Sequence, residues 1–136
     1  MEATATKYRT VRLVEEADKP IIASWWKKLA GEIDIDWLPT TTVVLEIGGK
    51  LAYAIPVFIT NSNRAYTDDI VSDPELSKDD RKGALEVLLQ YVEMMLKEFK
   101  VEVLFGCAPN DKLLKRYESL GFGVLHKGTT IISKGV

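Results

Sequence analysis

Residues 80–99 restrict the possible folds of this chain more than any other stretch. Ala84, Val87, Leu88, Tyr91 and Met95 fall on one stripe of a 3.6-residue helix, and Leu85, Leu89, Val92 and Leu96 fall on a second stripe beside it. Glu86, Gln90, Glu93 and Lys97 take the remaining face. An apolar surface that wide needs an equally wide cover, and a β-sheet supplies one. The sequence therefore predicts one long helix lying deeply against a sheet.

Strand patterns occur on both sides of it. Residues 42–47 and 50–60 read as an antiparallel hairpin turned at Gly48-Gly49, because paired glycines accept positive φ without strain. Pro56 has no N–H to give to a ladder, so the second strand must have an edge, a bulge or a break there. Asn61-Ser62-Asn63 makes another turn, and residues 65–72 return as a strand. Upstream, residues 8–14 form a first strand, followed by a helix with Asp18 as cap and Pro20 in its first turn. Ile22, Trp25, Trp26 and Leu29 recur at helical spacing until Gly31 stops it. Two adjacent tryptophans cannot share one narrow stripe, so one of Trp25 and Trp26 sits at its edge, in the core or lining a groove. Glu32, Asp34 and Asp36 follow in a loop or partial helix, either as a solvated loop or as an acidic rim that would attract an amine. At the far end, residues 123–126 and 129–133 predict a closing hairpin turned at Lys127-Gly128.

Length and charge narrow the class. At 136 residues the chain forms one domain, 1–136. A formal charge of -2 lacks the basic face of a general nucleic-acid binder. Cys107 is the only cysteine, so no internal disulfide forms, and no Cys/His cluster suits zinc. No apolar run approaches the ~20 residues that span a bilayer, and MEATATKYRT lacks the apolar core of a signal peptide. A cytoplasmic protein without a membrane partner is expected, its oligomeric state open.

Residues 101–122 carry the most specific pattern. They read as a strand, a turn at Asn110 and a short helix, with Tyr117 seven positions after Asn110, about two helical turns. Gly121 then offers a left-handed stop and Phe122 an apolar restart. In this order Asn110, Tyr117 and Gly121-Phe122 resemble the distal motif of the GNAT superfamily of N-acetyltransferases, where strand, Asn, Tyr-bearing helix and Gly-Phe recur together. Arg12 followed six residues later by Asp18 is also similar to the opening of that family. The likeness covers most of the chain in element order and only this segment residue by residue. It implies an α/β (mixed α+β) single domain with a mostly antiparallel central sheet of six to seven strands flanked by three to four helices. It also implies acetyl-CoA as co-substrate and direct transfer of the acetyl group to a primary amine. The alternatives are the same fold kept as a binding or interaction module, or as an acyl-CoA sensor without transfer.

A turn feeding a long helix exposes backbone N–H groups that suit a pyrophosphate. Here that turn, SDPELSKDDRKGALEVLL, follows Ile70-Val71-Ser72 and resembles the family's coenzyme motif in position. The family expects a basic residue, then Gly, then a second small residue; this chain has Asp80, Gly83 and Leu85 there. The likeness puts Ile70, Val71, Ser72, Arg81, Lys82, Gly83, Ala84 and Asn110 at the coenzyme, with Asn110 anchoring the turn or bonding the ligand. Asp79 and Asp80 would oppose a phosphate, each by about 0.7 kcal/mol at ~6 Å in water and about 3 at an effective dielectric of 20. Lys78, Arg81 and Lys82 would offset this. On the other reading the aspartates simply cap the helix.

Two residues are candidates for proton transfer. An amine with pKa near ~10.4 is almost wholly charged at neutral pH, which costs about 4.6 kcal/mol, so a base is useful. Tyr66, Asp68, Ile70 and Ser72 would share one strand face, which makes Asp68 the candidate base ahead of Asp69. Tyr117, protonated with an ordinary pKa near ~10, can donate to a departing thiolate or can serve as a buried structural residue. Cys107 reads as a small core residue, because the one histidine, His126, falls in the predicted hairpin.

Overall fold

The computed structural model describes residues 7–31, 34–68 and 70–136. Among them, seven strands and four α-helices follow the order β1 (Arg9–Leu13), α1 (Lys19–Ala30), β2 (Val43–Ile47), β3 (Lys50–Ile55), β4 (Val57–Ile59), β5 (Arg64–Thr67), β6 (Val71–Ser72), α2 (Lys78–Arg81), α3 (Ala84–Glu98), β7 (Val103–Gly106) and α4 (Asp111–Ser119). One four-stranded antiparallel sheet has the order β1-β2-β3-β6. A three-stranded sheet, β4-β5-β7, pairs β4 with β5 antiparallel and β5 with β7 parallel. The architecture is mixed α+β, as the sequence predicts.

Local chemistry explains most of these elements. Gly48 and Gly49 both take positive φ, 60° and 81°, and so turn β2 into β3. Alternation along β2 sends Val43, Leu45 and Ile47 to one core and Val44 to the other. The first core is covered by α3 through Leu85, Leu88, Leu89, Val92 and Leu96. The second is covered by α1 through Ile22 and Trp25, against Leu51, Ala54 and Val71. Trp26 lies at the stripe edge, edge-to-face with Trp37 at 6.3 Å. No helix forms over residues 34–40; Ile35 and Leu38 are instead buried against α1. Glu32 lies outside the described residues.

Arg12 ties the first strand to the helix that follows. Its Nη1 and Nη2 donate to the Asp18 carboxylate at 2.7 and 2.9 Å, and Nη2 also donates to Glu46 Oε1 at 2.8 Å. Asp18 is buried, and the Arg12 hydrogen bond holds its carboxyl below the usual carboxylate range.

Cys107, expected in the core, is exposed, and three expectations about the elements also need correction. Residues 65–72 do not form one strand. Ala54 pairs with Val71 and Val57 with Thr67, and the pairing is interrupted between them, with one residue more on the returning side. Pro56 sits at this point without an N–H, and its carbonyl accepts from Thr67 Oγ1 at 2.9 Å. The expected common face of Tyr66, Asp68, Ile70 and Ser72 is thereby interrupted.

The helix over residues 80–99 is also divided, into α2 and α3, at Lys82 and Gly83, where Gly83 has φ 73°. The cause is distant in sequence. Arg9 Nη2 donates to the carbonyls of Asp80 and Lys82 at 3.1 and 2.8 Å, and so occupies the acceptors exposed by the break.

The closing hairpin over residues 123–126 and 129–133 does not form. Residues 123–136 contain no strand and all are exposed. A two-stranded hairpin is marginal unless a sheet supports it, and among the described residues this segment joins neither sheet.

Candidate functional site

The bulge and the broken helix open onto one cleft of about 310 Å3. The strand β6 contributes Val71 and Ser72 with Ile70 just before it, the end of α2 contributes Arg81, and α4 with its cap contributes Asn110, Lys112, Leu113 and Arg116. Tyr53 and Leu85 complete the lining. Five residues assigned to the coenzyme from sequence, Ile70, Val71, Ser72, Arg81 and Asn110, thus surround one space.

Arg81, the last residue of α2, is held in place by the segment before that helix. Its Nε donates to the Leu76 carbonyl at 3.3 Å, Nη1 to Ser72 Oγ at 2.9 Å and Nη2 to the Asp73 carbonyl at 2.8 Å. The loop starts from Asp73, whose N–H extends the β3-β6 ladder to the Ala52 carbonyl at 2.9 Å. Asn110 is the N-cap of α4, with Oδ1 accepting from the Leu113 N–H at 2.9 Å. Lys112 and Arg116 lie four residues apart on that helix and so share a face. Among the described residues Arg81, Lys112 and Arg116 form no ion pair.

Lys82, Gly83 and Ala84 continue from the loop without lining the cleft. Lys82 is exposed, and its carbonyl is taken by Arg9. Ala84 is wholly buried and packs behind the loop, with no accessible atom toward the cleft. The start of α3 at Gly83 has no side-chain cap, so the first turn keeps the donors that a helix leaves unsatisfied. Asp80 is turned to Lys7, with Nζ 3.1 Å from Oδ2, which offsets the anion expected to repel a phosphate. The cap of α2 is Ser77 rather than an aspartate, its Oγ accepting from the Asp80 N–H at 3.1 Å.

Tyr117 is buried on α4, edge-to-face with Phe122 at 4.9 Å, and the Phe122 N–H returns to the Tyr117 carbonyl at 3.1 Å. Burial pushes its phenol pKa up, and the Asp68 carboxylate adds to this while Arg116 opposes it. Half-buried Asp68, next to the bulge, therefore lies within electrostatic reach of Tyr117. Asp69 lies outside the described residues.

Lys112 and Arg116 were not among the residues read from sequence as contacting a ligand. Starting the helix at Asp111 and counting four from Lys112 would have placed both on one face. A second hollow of about 200 Å3, between α3 and Leu120, is lined by Glu86 and Glu93 and has the wrong sign for a phosphate. Among the described residues no helix is long and apolar enough to cross a membrane.

No family model matches the sequence, and no curated protein matches it either. Solved structures do match in shape. The ribosomal-protein-S18-alanine N-acetyltransferase of Escherichia coli is 22% identical with a TM-score of 0.64, over 88% of this chain and 80% of that one. The aminoglycoside N-acetyltransferase AAC(6')-Iy in complex with CoA is 11% identical with a TM-score of 0.71, over 98% of this chain and all of that one. A transcriptional regulator from Bacillus halodurans is 15% identical with a TM-score of 0.70, over 93% of this chain and all of that one.

Proposed function

With the fold of the GNAT acetyltransferases as its premise, we propose that this chain binds acetyl-CoA and passes the acetyl group directly to a primary amine of a small molecule or protein. One observation carries the reading: three cations that form no ion pair among the described residues, Arg81, Lys112 and Arg116, line a cleft beside the uncapped start of α3. That donor set suits a diphosphate, and the cleft volume falls in the range of small-molecule sites, ~300–1,000 Å3. Ile70, Val71 and Ser72 would meet the pantetheine with their backbone, Asn110 would hold the turn, and the N–H of Gly83 would face the phosphates with Ala84 packed behind it. Lys82 would add charge from the rim.

When bound, acetyl-CoA supplies an activated acyl group. The chain's own part is proton management. Asp68 would take a proton from the acceptor ammonium, and the neutral Tyr117 Oη–H would give one to the thiolate that leaves. A phenol with a raised pKa stays protonated at neutral pH, as that role requires. We place the protein in the cytoplasm.

A second reading, acyl-CoA binding without transfer, is favoured by Asp80 and Leu85 standing where the family has a basic and a small residue. Calorimetric titration with acetyl-CoA, followed by thiol release with a panel of amines, tests both. Saturable binding with turnover supports the enzyme, and binding without turnover supports a sensor. A cleft indifferent to acetyl-CoA removes both.

A further inference from the structure

One side of the first strand is directed at the joint between α2 and α3. Val11 packs against the core that α3 covers, so Arg9, two residues earlier, leaves β1 on the same side. Its backbone is fixed in the ladder, where Arg9 pairs with Ile47. Nη2 reaches the Asp80 carbonyl at 3.1 Å and the Lys82 carbonyl at 2.8 Å, and Nη1 lies 3.8 Å from where a Cβ on Gly83 would stand. Lys7, a further two residues back, takes the Asp80 carboxylate.

The two carbonyls are ones that an unbroken helix would use. If α2 ran on into α3, the i to i-4 ladder would give the Asp80 carbonyl to the Ala84 N–H and the Lys82 carbonyl to the Glu86 N–H. The Gly83 N–H would be consumed by the Asp79 carbonyl in the same way. Instead Lys82 has φ -65° and ψ 123°, and Gly83 has φ 73° and ψ 3°, the values of the two central residues of a type II turn. The peptide between them is trans, so its C=O and N–H point opposite ways. With the Lys82 oxygen pinned to Arg9, the Gly83 hydrogen faces away from that side chain, and among the described residues it gives no backbone hydrogen bond. Glycine accepts this peptide in either orientation, so Gly83 itself does not choose between turn and helix.

We infer that Arg9 is a positioning residue for the diphosphate site: by holding α2 and α3 apart it fixes the Lys82–Gly83 peptide and presents the Gly83 N–H to the cleft, which Arg81 and Leu85 line on either side of it. The identity of the anion rests on the reading proposed above, whereas the choice between turn and helix does not. Arg9 acts through one peptide plane and meets neither the acetyl group nor the amine.

Nuclear magnetic resonance and calorimetry on the full chain test this. In the unaltered protein the Gly83 amide should exchange fast, and it should slow when inorganic pyrophosphate is added. In Arg9→Gln the Lys82 Cα resonance should move to helical values, and acetyl-CoA and pyrophosphate should each bind about tenfold more weakly, as expected for one charge-assisted hydrogen bond lost. KM for acetyl-CoA should rise by the same factor while kcat stays nearly unchanged. The loss should persist at ~1 M salt, where a Debye length of ~3 Å suppresses a charge effect acting through solvent. Arg9→Lys keeps the charge and a nitrogen that can donate to both carbonyls, so its affinity should fall between the two. Gly83→Ala gives a readout that needs no ligand: it should lower the unfolding midpoint of the unaltered chain, where φ is 73°, and raise it in the Arg9→Gln background, where a helix favours alanine. A Gly83 amide protected without the anion would overturn the role even if no variant folds. Unchanged pyrophosphate affinity, an unmoved Lys82 resonance, or Gly83→Ala destabilising both backgrounds would overturn it as well. If the unaltered chain binds neither anion, the acetyl-CoA reading fails, and the Lys82 resonance and the sign reversal still decide whether Arg9 holds the break.

Discussion

Arg12 and Arg81 are both arginines partly withdrawn from water beside a strand, but their surroundings differ. Arg12 meets two carboxylates, Asp18 and Glu46, and its charge is used up inside the protein. Among the described residues Arg81 meets only a hydroxyl and two carbonyls, and with Lys112 and Arg116 it brings positive charge to the cleft. A charge matched internally serves the architecture, whereas one held rigid but unmatched is poised for something from outside. Sequence distance does not separate these cases, since both depend on what the fold brings alongside.

The comparison breaks most visibly at Arg12. Arg12→Leu should cost about 3–5 kcal/mol in urea unfolding, because it strands the buried Asp18 carboxylate. In the unaltered protein, the depressed Asp18 pKa gives stability that is present above the ordinary carboxyl range, ~3.9, and lost as pH falls through the folded value. The melting temperature should therefore drop below about pH 4, and the variant should lose part of that dependence. A flat acid limb in the wild type would remove the architectural role assigned to this pair.

On the cleft side the largest effect expected is on rate. Tyr117→Phe should lower kcat about 100-fold, with coenzyme affinity nearly unchanged, measured by thiol release and calorimetry. An equal loss in both would mean that the ring packs rather than donates. The double change Lys112→Ala, Arg116→Ala should weaken acetyl-CoA binding about tenfold, ~1.4 kcal/mol, without altering unfolding. Its affinity should also depend less on salt, since the cations it removes interact through solvent. If the double variant unfolds more easily, the cleft cations are architectural after all, and the contrast with Arg12 disappears. Smallest is Gly83→Ala, at about 1 kcal/mol of stability, because alanine resists the φ of 73° while its Cβ comes no closer than 3.8 Å to Arg9 Nη1. A neutral outcome would show that the break between α2 and α3 relaxes freely.

Much of this was legible in the sequence wherever a residue acts on its own neighbours. Gly48-Gly49 announced the hairpin through φ alone, Asn110 announced α4 through its side-chain oxygen, and Pro56 announced a fault in its strand. The apolar stripes of α3 found their sheet. What stayed hidden depends on partners far along the chain. The break at Lys82 and Gly83 is held by Arg9, 71 and 73 residues away from the carbonyls it binds. The bulge over 68–70 follows from the register of β3 against its return, which alternation cannot reveal. For residues 123–136 the strand propensity was legible, but whether the molecule supplies a surface for those strands was not.

Pro56 has a kinetic meaning as well. The ring removes a donor for good, so no ladder hydrogen bond can come from residue 56, and the Thr67 hydroxyl satisfies the carbonyl left over. The cleft beside β6 is already open at about 310 Å3, so a guest need not wait for strands to separate. Capture should then be governed by encounter, with a rate constant in the ~10⁵–10⁷ M⁻¹s⁻¹ span usual for binding that involves no prior rearrangement.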